Sequence, residues 1–205
     1  MKECNIVIAG VGGQGILLVA EMLGTAALME GFNVRVSEIH GMAQRGGTVV
    51  CDVRIGEKVY APTTPMGKAD VMLGLEPIEA LRHIKLTSPQ TLIVMNTRIV
   101  EPVAVTMGMA KTPTLDEIVQ IIHKFYNRAI LIDAMELAMK AGSPLVQNVA
   151  MLGVLTSTEA LPFGIDALRE SIRQLVSPKH IELNIKALEL GLKAGGSYSS
   201  LRYRY

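Results

Sequence analysis

Residues 4–40 read CNIVIAGVGGQGILLVAEMLGTAALMEGFNVRVSEIH, and this order of apolar and glycine-rich segments predicts the fold class. The apolar run 4–10 ends in glycine and is typical of a buried strand. Residues 16–31 have the length of a helix, with Gly31 as its C-terminal stop. A second strand is predicted over residues 33–39. A strand, a helix and a strand in this order favour a parallel pair joined by a right-handed crossover.

The next predicted strand brings an antiparallel element into the sheet. Residues 48–55, TVVCDVRI, alternate with period 2 between an apolar face and a mainly polar face. A tight turn at Gly56–Glu57 is expected to lead into a return strand over residues 58–62, KVYAP. Because such a hairpin interrupts the strand–helix alternation, the sheet is predicted to be mixed rather than wholly parallel.

Three further buried strands and a series of helices complete the predicted domain. The strands are expected over residues 69–76, 90–96 and 129–134. Pro77 is expected to open one helix, and Thr114 with Glu117 indicates the capping box of another. The last helices are predicted over residues 145–155, 165–176 and 181–193, with Gly195–Gly196 as the final stop. The expected fold class is α/β: a three-layer, Rossmann-like domain whose mixed, mostly parallel sheet contains a β-hairpin insertion.

Length and composition favour one domain. The 205 residues are enough for one well-buried α/β domain but hardly for two. We expect a single domain over residues 1–196 and a loose C-terminal tail over residues 197–205. Hydrophobic residues make up 49% of the chain and charged residues only 19%. Two interpretations of this low charge content stay open: another protein covers part of the surface, or the core is unusually well filled.

Charge and cysteine content exclude several classes of protein. Twenty Lys and Arg against nineteen Asp and Glu give a net charge of +1, which indicates neither a nucleic acid nor a membrane as partner. Cys4 and Cys51 fall in predicted strands and are not spaced as metal ligands, so we expect reduced, buried thiols and no metal site. Neither a signal peptide nor a membrane-spanning run is indicated, and a cytoplasmic location is expected.

The strongest local signal is the loop Gly10-Val11-Gly12-Gly13-Gln14-Gly15 between the first strand and the first helix. Its glycines match the dinucleotide fingerprint, in which they allow a tight turn and a close approach to phosphate. The helix N-terminus adds unpaired N–H groups and the positive end of a dipole. The candidate cofactor-binding residues are therefore Gly10, Gly12, Gly13, Gln14 and Gly15. In the alternative interpretation, the glycines serve only turn geometry and packing.

A second candidate segment, SEIHGMAQRGG, covers residues 37–47. It combines a carboxylate, an imidazole, an amide and a guanidinium with three glycines, a composition suited to contact with a ligand or a partner. The candidate residues for this contact are Glu38, His40, Gln44, Arg45, Gly46 and Gly47. Glu38 lies near the position where a dinucleotide-binding domain places the acid that binds a ribose. It can equally orient His40 or Arg45, and an internal pair with Arg45 is the simpler alternative.

Asn148 lies late in the chain, in the apolar segment LVQNVAMLGVL. A buried asparagine usually satisfies backbone groups, yet this one can also face the glycine-rich loop. Asp133, at the end of a predicted strand, is interpreted as the cap of the following helix. The sequence shows no Ser/His/Asp order, no carboxylate pair with an acid–base rationale and no zinc spacing, so no catalytic residue is assigned.

Taken together, three motifs resemble a known family. GVGGQG (10–15), SEIHGMAQRGGTVVCDVRIG (37–56) and QNVAMLG (147–153) are similar to the gamma-type domain of 2-oxoacid:ferredoxin oxidoreductases, over about residues 3–195. The HGMAQRGG form resembles the small beta subunit of the indolepyruvate type. Pyruvate-type relatives carry a different set of residues before the shared Arg-Gly-Gly.

The resemblance implies a non-cluster subunit of a thiamine-diphosphate-dependent enzyme. That enzyme converts an arylpyruvate and coenzyme A into an aryl-acetyl-CoA, carbon dioxide and reduced ferredoxin. Thiamine diphosphate, magnesium and 4Fe–4S clusters are then expected in a large alpha subunit, while this chain alone holds no cofactor, is inactive and meets ferredoxin only through the complex. The alternative is a stand-alone Rossmann-type NAD(P)-binding oxidoreductase or a nucleotide-sensing domain.

Overall fold

The computed structural model describes residues 3–41, 46–108 and 111–199. Within them, six strands form one sheet in the order β2-β3-β1-β4-β5-β6. The strands are β1 (Cys4–Val11), β2 (Asn33–His40), β3 (Thr48–Gly56), β4 (Val71–Gly74), β5 (Leu92–Asn96) and β6 (Arg128–Ile132). The helices are α1 (Ile16–Met29), α2 (Pro77–Arg82), α3 (Val103–Thr106), α4 (Leu115–Phe125), α5 (Ala134–Ala141), α6 (Gln147–Thr156), α7 (Ile165–Leu175) and α8 (Ile181–Ser199).

The sheet is mixed, as predicted, and is covered by helices on both faces. Strands β1, β4, β5 and β6 pair in parallel, whereas β3 is antiparallel to both of its neighbours, β1 and β2. Alternate side chains of β1 enter two separate cores. Ile6 and Ile8 pack with α1 and α5 to α8, while Val7 and Ala9 pack with α2 and α4. The three-layer α/β class is therefore confirmed.

The hairpin that the sequence predicted is formed by different strands. Strand β3 returns along β2 rather than turning at Gly56 into a strand over residues 58–62, which are not in a strand. Arg54 Nη1 donates hydrogen bonds to the carbonyl oxygens of Ala61 and Thr63, at 2.8 and 3.3 Å. These contacts hold the segment across the end of the sheet. The expected β1–β2 pair is also wrong, because β3 lies between two strands that point the same way.

The local helix signals are confirmed, whereas the predicted end of the last helix is wrong. Gly31 follows α1 with φ +83°, Pro77 opens α2, and Thr114 forms a capping box with Glu117. Gly195–Gly196 does not stop α8, which continues to Ser199. Residues 197–199 of the predicted tail are thus helical, and residues 200–205 lie outside the described residues, so their looseness stays a prediction.

Candidate functional site

The three sequence motifs meet at the carboxyl edge of the parallel strands. Strand β1 ends there and enters the glycine-rich loop, while the antiparallel β3 begins there after its own two glycines. The Cα atoms of Val11 and Thr48 are partners in the β1–β3 register. Because β3 lies beside β1, Gly46 and Gly47, which directly precede β3, lie against the glycine-rich loop.

Backbone hydrogen bonds join the two glycine segments. The Gly12 N–H donates to the Gly47 carbonyl oxygen at 2.9 Å, and the Gly46 N–H donates to the Gly12 carbonyl oxygen at 3.4 Å. The Gly41 N–H donates to the Thr48 carbonyl oxygen at 2.8 Å, which closes the base of the β2–β3 connection. Gln44 and Arg45 lie outside the described residues, so their predicted role is not tested.

Gln14 spans the gap between the ends of β1 and β4. Its Oε1 accepts a hydrogen bond from the Val11 N–H at 2.9 Å, and its Nε2 donates to the Leu75 carbonyl oxygen at 3.1 Å. A Cβ atom at Gly10 would lie 2.5 Å from Gln14 Oε1. Gly10 is therefore required for the packing of this side chain, in agreement with the packing interpretation of at least one glycine.

Asn148 connects the third motif to the same loop. Its Nδ2 donates to the Gly15 carbonyl oxygen at 3.2 Å, and its Oδ1 accepts from the Val149 N–H at 2.9 Å. Gly15 adopts φ +72°, and a Cβ atom there would lie 2.4 Å from Asn148 Nδ2. The buried asparagine thus satisfies backbone groups and also contacts the glycine-rich loop, which unites the two predicted interpretations.

Glu38 and His40 are two residues apart on the same side of β2, and His40 Nε2 contacts Glu38 Oε1. Both side chains are partly solvent-exposed, and β2 is an edge strand of the sheet. Strand β3 separates β2 from β1, so Glu38 is about two strand spacings, or about 10 Å, from the strand that enters the glycine loop. This strand order differs from the arrangement in which an acid at the end of an adjacent strand binds a ribose.

Three clefts border the glycine-rich loop. The first, of about 500 Å³, lies between the loop, the first turn of α1 and the end of β2, with His40 on its wall. Gly15, Ile16 and Leu17 line this cleft at the start of α1, where the first N–H groups of a helix have no partners within the helix. A smaller cleft of about 110 Å³ is lined by four amide side chains, Gln14, Asn96, Gln147 and Asn148. A third, of about 250 Å³, is lined by Thr48, Glu76, Glu79, Arg82 and Glu101 among others.

Comparison with known proteins places this geometry in a family. The family model described as pyruvate ferredoxin/flavodoxin oxidoreductase matches residues 5–194. The chain belongs to this family. It is 49% identical over 195 residues to the indolepyruvate oxidoreductase subunit IorB of Thermococcus kodakarensis, a match that covers 95% of this chain and 96% of that subunit. The IorB subunit of Pyrococcus horikoshii is 48% identical with the same coverage.

The domain also occurs within longer chains, and its fold is shared with solved structures. The ketoisovalerate oxidoreductase subunit VorA of Methanothermobacter marburgensis is 30% identical over 194 residues, which are 93% of this chain but 36% of VorA. The gamma subunit of a keto/oxoacid ferredoxin oxidoreductase from Geobacter sulfurreducens shares the fold, with a TM-score of 0.68, 20% identity and coverage of 95% and 99%. The 2-oxoglutarate:ferredoxin oxidoreductase of Magnetococcus marinus gives 0.71 at 19% identity, covering 96% of this chain and 32% of that one.

Two buried carboxylates of this family member were not predicted as site residues. Glu76 is 1% exposed and accepts hydrogen bonds from the N–H groups of Glu79 at 2.8 Å and Val100 at 3.2 Å. Its burial raises the pKa of this carboxyl above the ordinary value. Glu79 is 6% exposed, contacts the Thr48 hydroxyl and pairs with Arg82 Nε at 3.1 Å. In the sequence, Glu76 before Pro77 indicates only a helix cap. Its contact with the distant Val100 N–H leaves no local sequence pattern.

The two cysteines of this oxidoreductase domain are free and buried. Cys4 lies in β1 and Cys51 in β3. Burial raises the pKa of each thiol to about 12. Over residues 3–41, 46–108 and 111–199, no group of three or more His, Cys, Asp or Glu side chains is arranged to hold a metal ion. No helix in the same ranges is both long and apolar enough to cross a membrane.

Proposed function

We propose that this chain is the small, non-cluster subunit of an indolepyruvate:ferredoxin oxidoreductase. The observation that carries the proposal is the near full-length similarity to two IorB subunits, at 49% and 48% identity. Family membership and this similarity favour the subunit over a stand-alone NAD(P)-binding oxidoreductase. Its proposed partner is a large alpha subunit, its electron acceptor is ferredoxin, reached through the complex, and its setting is the cytoplasm.

The proposed reaction balances in atoms and electrons. The bond between the carboxylate and the keto carbon of the arylpyruvate breaks, and the carboxylate leaves as carbon dioxide. The keto carbon becomes the acyl carbon of a thioester with the sulfur of coenzyme A, whose thiol proton is released. Two electrons pass to two oxidised ferredoxins, one to each. Thiamine diphosphate, when bound in the enzyme, supplies the carbanion chemistry of the cleavage step.

The cofactors fit the partner rather than this chain. A 4Fe–4S cluster requires about four thiolates, whereas this chain has two cysteines in all. Both thiols are buried and have raised pKa values, which disfavours the thiolate form that binds iron. The buried Glu76 and Glu79 are already engaged with backbone N–H groups, a hydroxyl and a guanidinium. We therefore assign thiamine diphosphate, magnesium and the clusters to the alpha subunit.

The carboxyl edge of the sheet is the proposed face toward the rest of the enzyme. Each of the three clefts is lined by one exposed, large apolar side chain. These are Leu17 in the 500 Å³ cleft, Leu145 in the 110 Å³ cleft and Val100 in the 250 Å³ cleft. Leu145 is 86% exposed, and large exposed apolar groups are typical of surfaces that a partner covers. Relatives in which this domain forms about a third of a longer chain support a close connection with the remaining domains. We propose that the glycine-rich loop faces either that partner or the phosphates of coenzyme A.

The test is reconstitution. The chain is co-expressed with the large alpha subunit, isolated by size-exclusion chromatography, and assayed for ferredoxin reduction with a panel of 2-oxoacids in the presence and absence of coenzyme A. We expect a stable complex whose turnover requires both subunits and coenzyme A and is greatest with arylpyruvates. Full oxidoreductase activity of the free chain would contradict the proposal, as would a complex that prefers pyruvate to every arylpyruvate.

A further inference from the structure

Glu79, in the first turn of α2, contacts Thr48 near the glycine-rich loop through a buried carboxylate. Glu79 is almost fully buried, and its Oε2 accepts the hydroxyl of Thr48. Its Oε1 lies 3.1 Å from Nε of Arg82, whose side chain is more than half exposed. A buried carboxylate needs such compensation, because an unpaired charge in the interior is costly. Arg82 therefore gives the buried Glu79 carboxylate a partner on the side away from Thr48.

Thr48 lies at the point where the two glycine segments meet. It is the first residue of β3 and directly follows Gly46–Gly47. The Gly47 carbonyl accepts the Gly12 N–H, and the Thr48 carbonyl accepts the Gly41 N–H. The hydroxyl–carboxylate contact thus anchors the point at which β3, the β2–β3 connection and the glycine-rich loop meet.

We propose that Glu79 is a positioning residue of this oxidoreductase. Its carboxylate, oriented by Arg82, holds Thr48 and thereby fixes the Gly46–Gly47 backbone against Gly12. The consequence for the enzyme rests on the proposed function, in which the glycine-rich loop faces coenzyme A or the partner subunit. A hydrogen bond to a charged acceptor is stronger than one between neutral groups, which explains why a carboxylate serves as the anchor.

The neighbouring Glu76 also fixes the start of α2 to the surrounding chain. Its carboxylate accepts from the Glu79 N–H and from the Val100 N–H. The start of α2 is therefore tied to two segments, through Glu76 to the chain after β5 and through Glu79 to the start of β3. Both carboxylates line the same cleft of about 250 Å³ beside the glycine-rich loop.

The experiment compares four variants in the full chain and in the reconstituted holoenzyme. Thr48→Val removes the hydroxyl at constant shape, Thr48→Ser keeps it, and Glu79→Gln removes the charge. Thr114→Val is the matched control, because Thr114 also donates its hydroxyl to a glutamate, Glu117 at 3.0 Å, but at the start of α4. Amide hydrogen exchange is read for peptides that cover residues 10–15 and 46–49, and KM for coenzyme A and kcat are measured separately.

We expect amide exchange in those two peptides to be about tenfold faster in Thr48→Val and Glu79→Gln, and normal in Thr48→Ser and Thr114→Val. In the holoenzyme, Thr48→Val and Glu79→Gln should raise KM for coenzyme A or the dissociation constant between the subunits several-fold. Their kcat should stay within about twofold of the wild-type value. Uniformly faster exchange over the whole domain would overturn the proposal, because it indicates a merely structural role. Unchanged exchange in both peptides would also overturn it. If the wild-type complex lacks turnover, the proposed function fails, but the exchange measurements still decide the role of Glu79.

Discussion

Polar side chains at the carboxyl edge bind mainly to the backbone of that same edge. Gln14 bridges the Val11 N–H and the Leu75 carbonyl, and Asn148 donates to the Gly15 carbonyl. Asn96 donates to the Leu75 carbonyl and accepts from the Ala134 N–H. Since a buried backbone group left without a partner costs free energy, these amides hold the loop in one shape. The glycine-rich loop is therefore preformed for contact with a ligand or a partner.

The two thiols give a residue-scale prediction with a defined pH dependence. Burial raises the pKa of both Cys4 and Cys51 to about 12, with Asp70 adding to the effect at Cys4 and Glu38 at Cys51. Because the folded pKa exceeds the unfolded one, the stabilisation is complete below the ordinary thiol pKa and is lost as the pH rises through about 12. At pH 8 we expect iodoacetamide to leave the native chain unlabelled over a period that labels both thiols in guanidinium chloride, as read by mass spectrometry.

The order of labelling provides an internal control. Cys4 is 8% exposed and Cys51 is 0% exposed, so any slow reaction of the native chain should reach Cys4 first. Rapid, stoichiometric labelling of Cys51 in the native chain at pH 8 would show that β3 opens readily or that its thiol is ionised.

At the scale of elements, α6 and α8 approach each other closely at their glycines. A Cβ atom at Gly153 would lie 2.0 Å from the Leu188 carbonyl oxygen, and one at Gly191 would lie 1.9 Å from the Ala150 carbonyl oxygen. The two helix backbones are thus in direct contact. Since α6 carries Asn148, this packing also sets the position of the side chain that binds the Gly15 carbonyl.

We predict that Gly191→Ala destabilises the domain, because the added methyl group forces α6 and α8 apart. The expected loss is about 1–3 kcal/mol of unfolding free energy, the usual cost of overpacking a core. Gly196→Ala in the same helix is the control, since no atom of the described residues outside the adjacent turns of α8 lies within 4 Å of its Cβ position. That variant should gain up to about 1 kcal/mol from the higher helix propensity of alanine. Urea unfolding measures both, and equal midpoints for the two variants would contradict the close packing.

At the scale of the whole molecule, the strand order separates this domain from a dinucleotide-binding one. Strand β3 lies between β1 and β2, which removes Glu38 from the position beside the glycine-rich loop. The Gly12 N–H is bonded to the Gly47 carbonyl oxygen, so it is not available to a phosphate. Glu38 itself is paired with His40. The loop therefore has the glycine spacing of the fingerprint without the surroundings that bind NAD.

We accordingly predict that the isolated chain shows no saturable heat when titrated with NAD in a calorimeter. A dinucleotide-dependent dehydrogenase in the same buffer serves as the positive control. Micromolar binding of NAD that is lost in Gly12→Val would contradict the prediction and favour the stand-alone nucleotide-binding interpretation.

The sequence by itself predicts the features that depend on contacts within one turn or one strand. The capping box at Thr114, the proline that opens α2 and the glycine that ends α1 each act through contacts a few residues apart. The glycine-rich loop is a site candidate because its glycines match a local fingerprint, and Asn148 is one because it is a polar residue in an apolar segment. Fold class and family followed from these local features, because their order along the chain is specific even when each alone is weak.

Contacts between distant residues were decided by the folded structure. The place of β3 between β1 and β2 depends on pairing free energies that the order of elements does not reveal. Gly195 was interpreted as a helix stop, but a Cβ atom there would lie 2.1 Å from Ser157 Oγ, so it serves the α6–α8 contact. At the end of α4, Phe125 is 55% exposed whereas the adjacent Tyr126 is buried, a difference that the helical spacing of apolar residues does not predict. The Glu79–Thr48 contact joins residues 31 positions apart, and no local pattern encodes such a pair, because it forms only when α2 packs beside the start of β3.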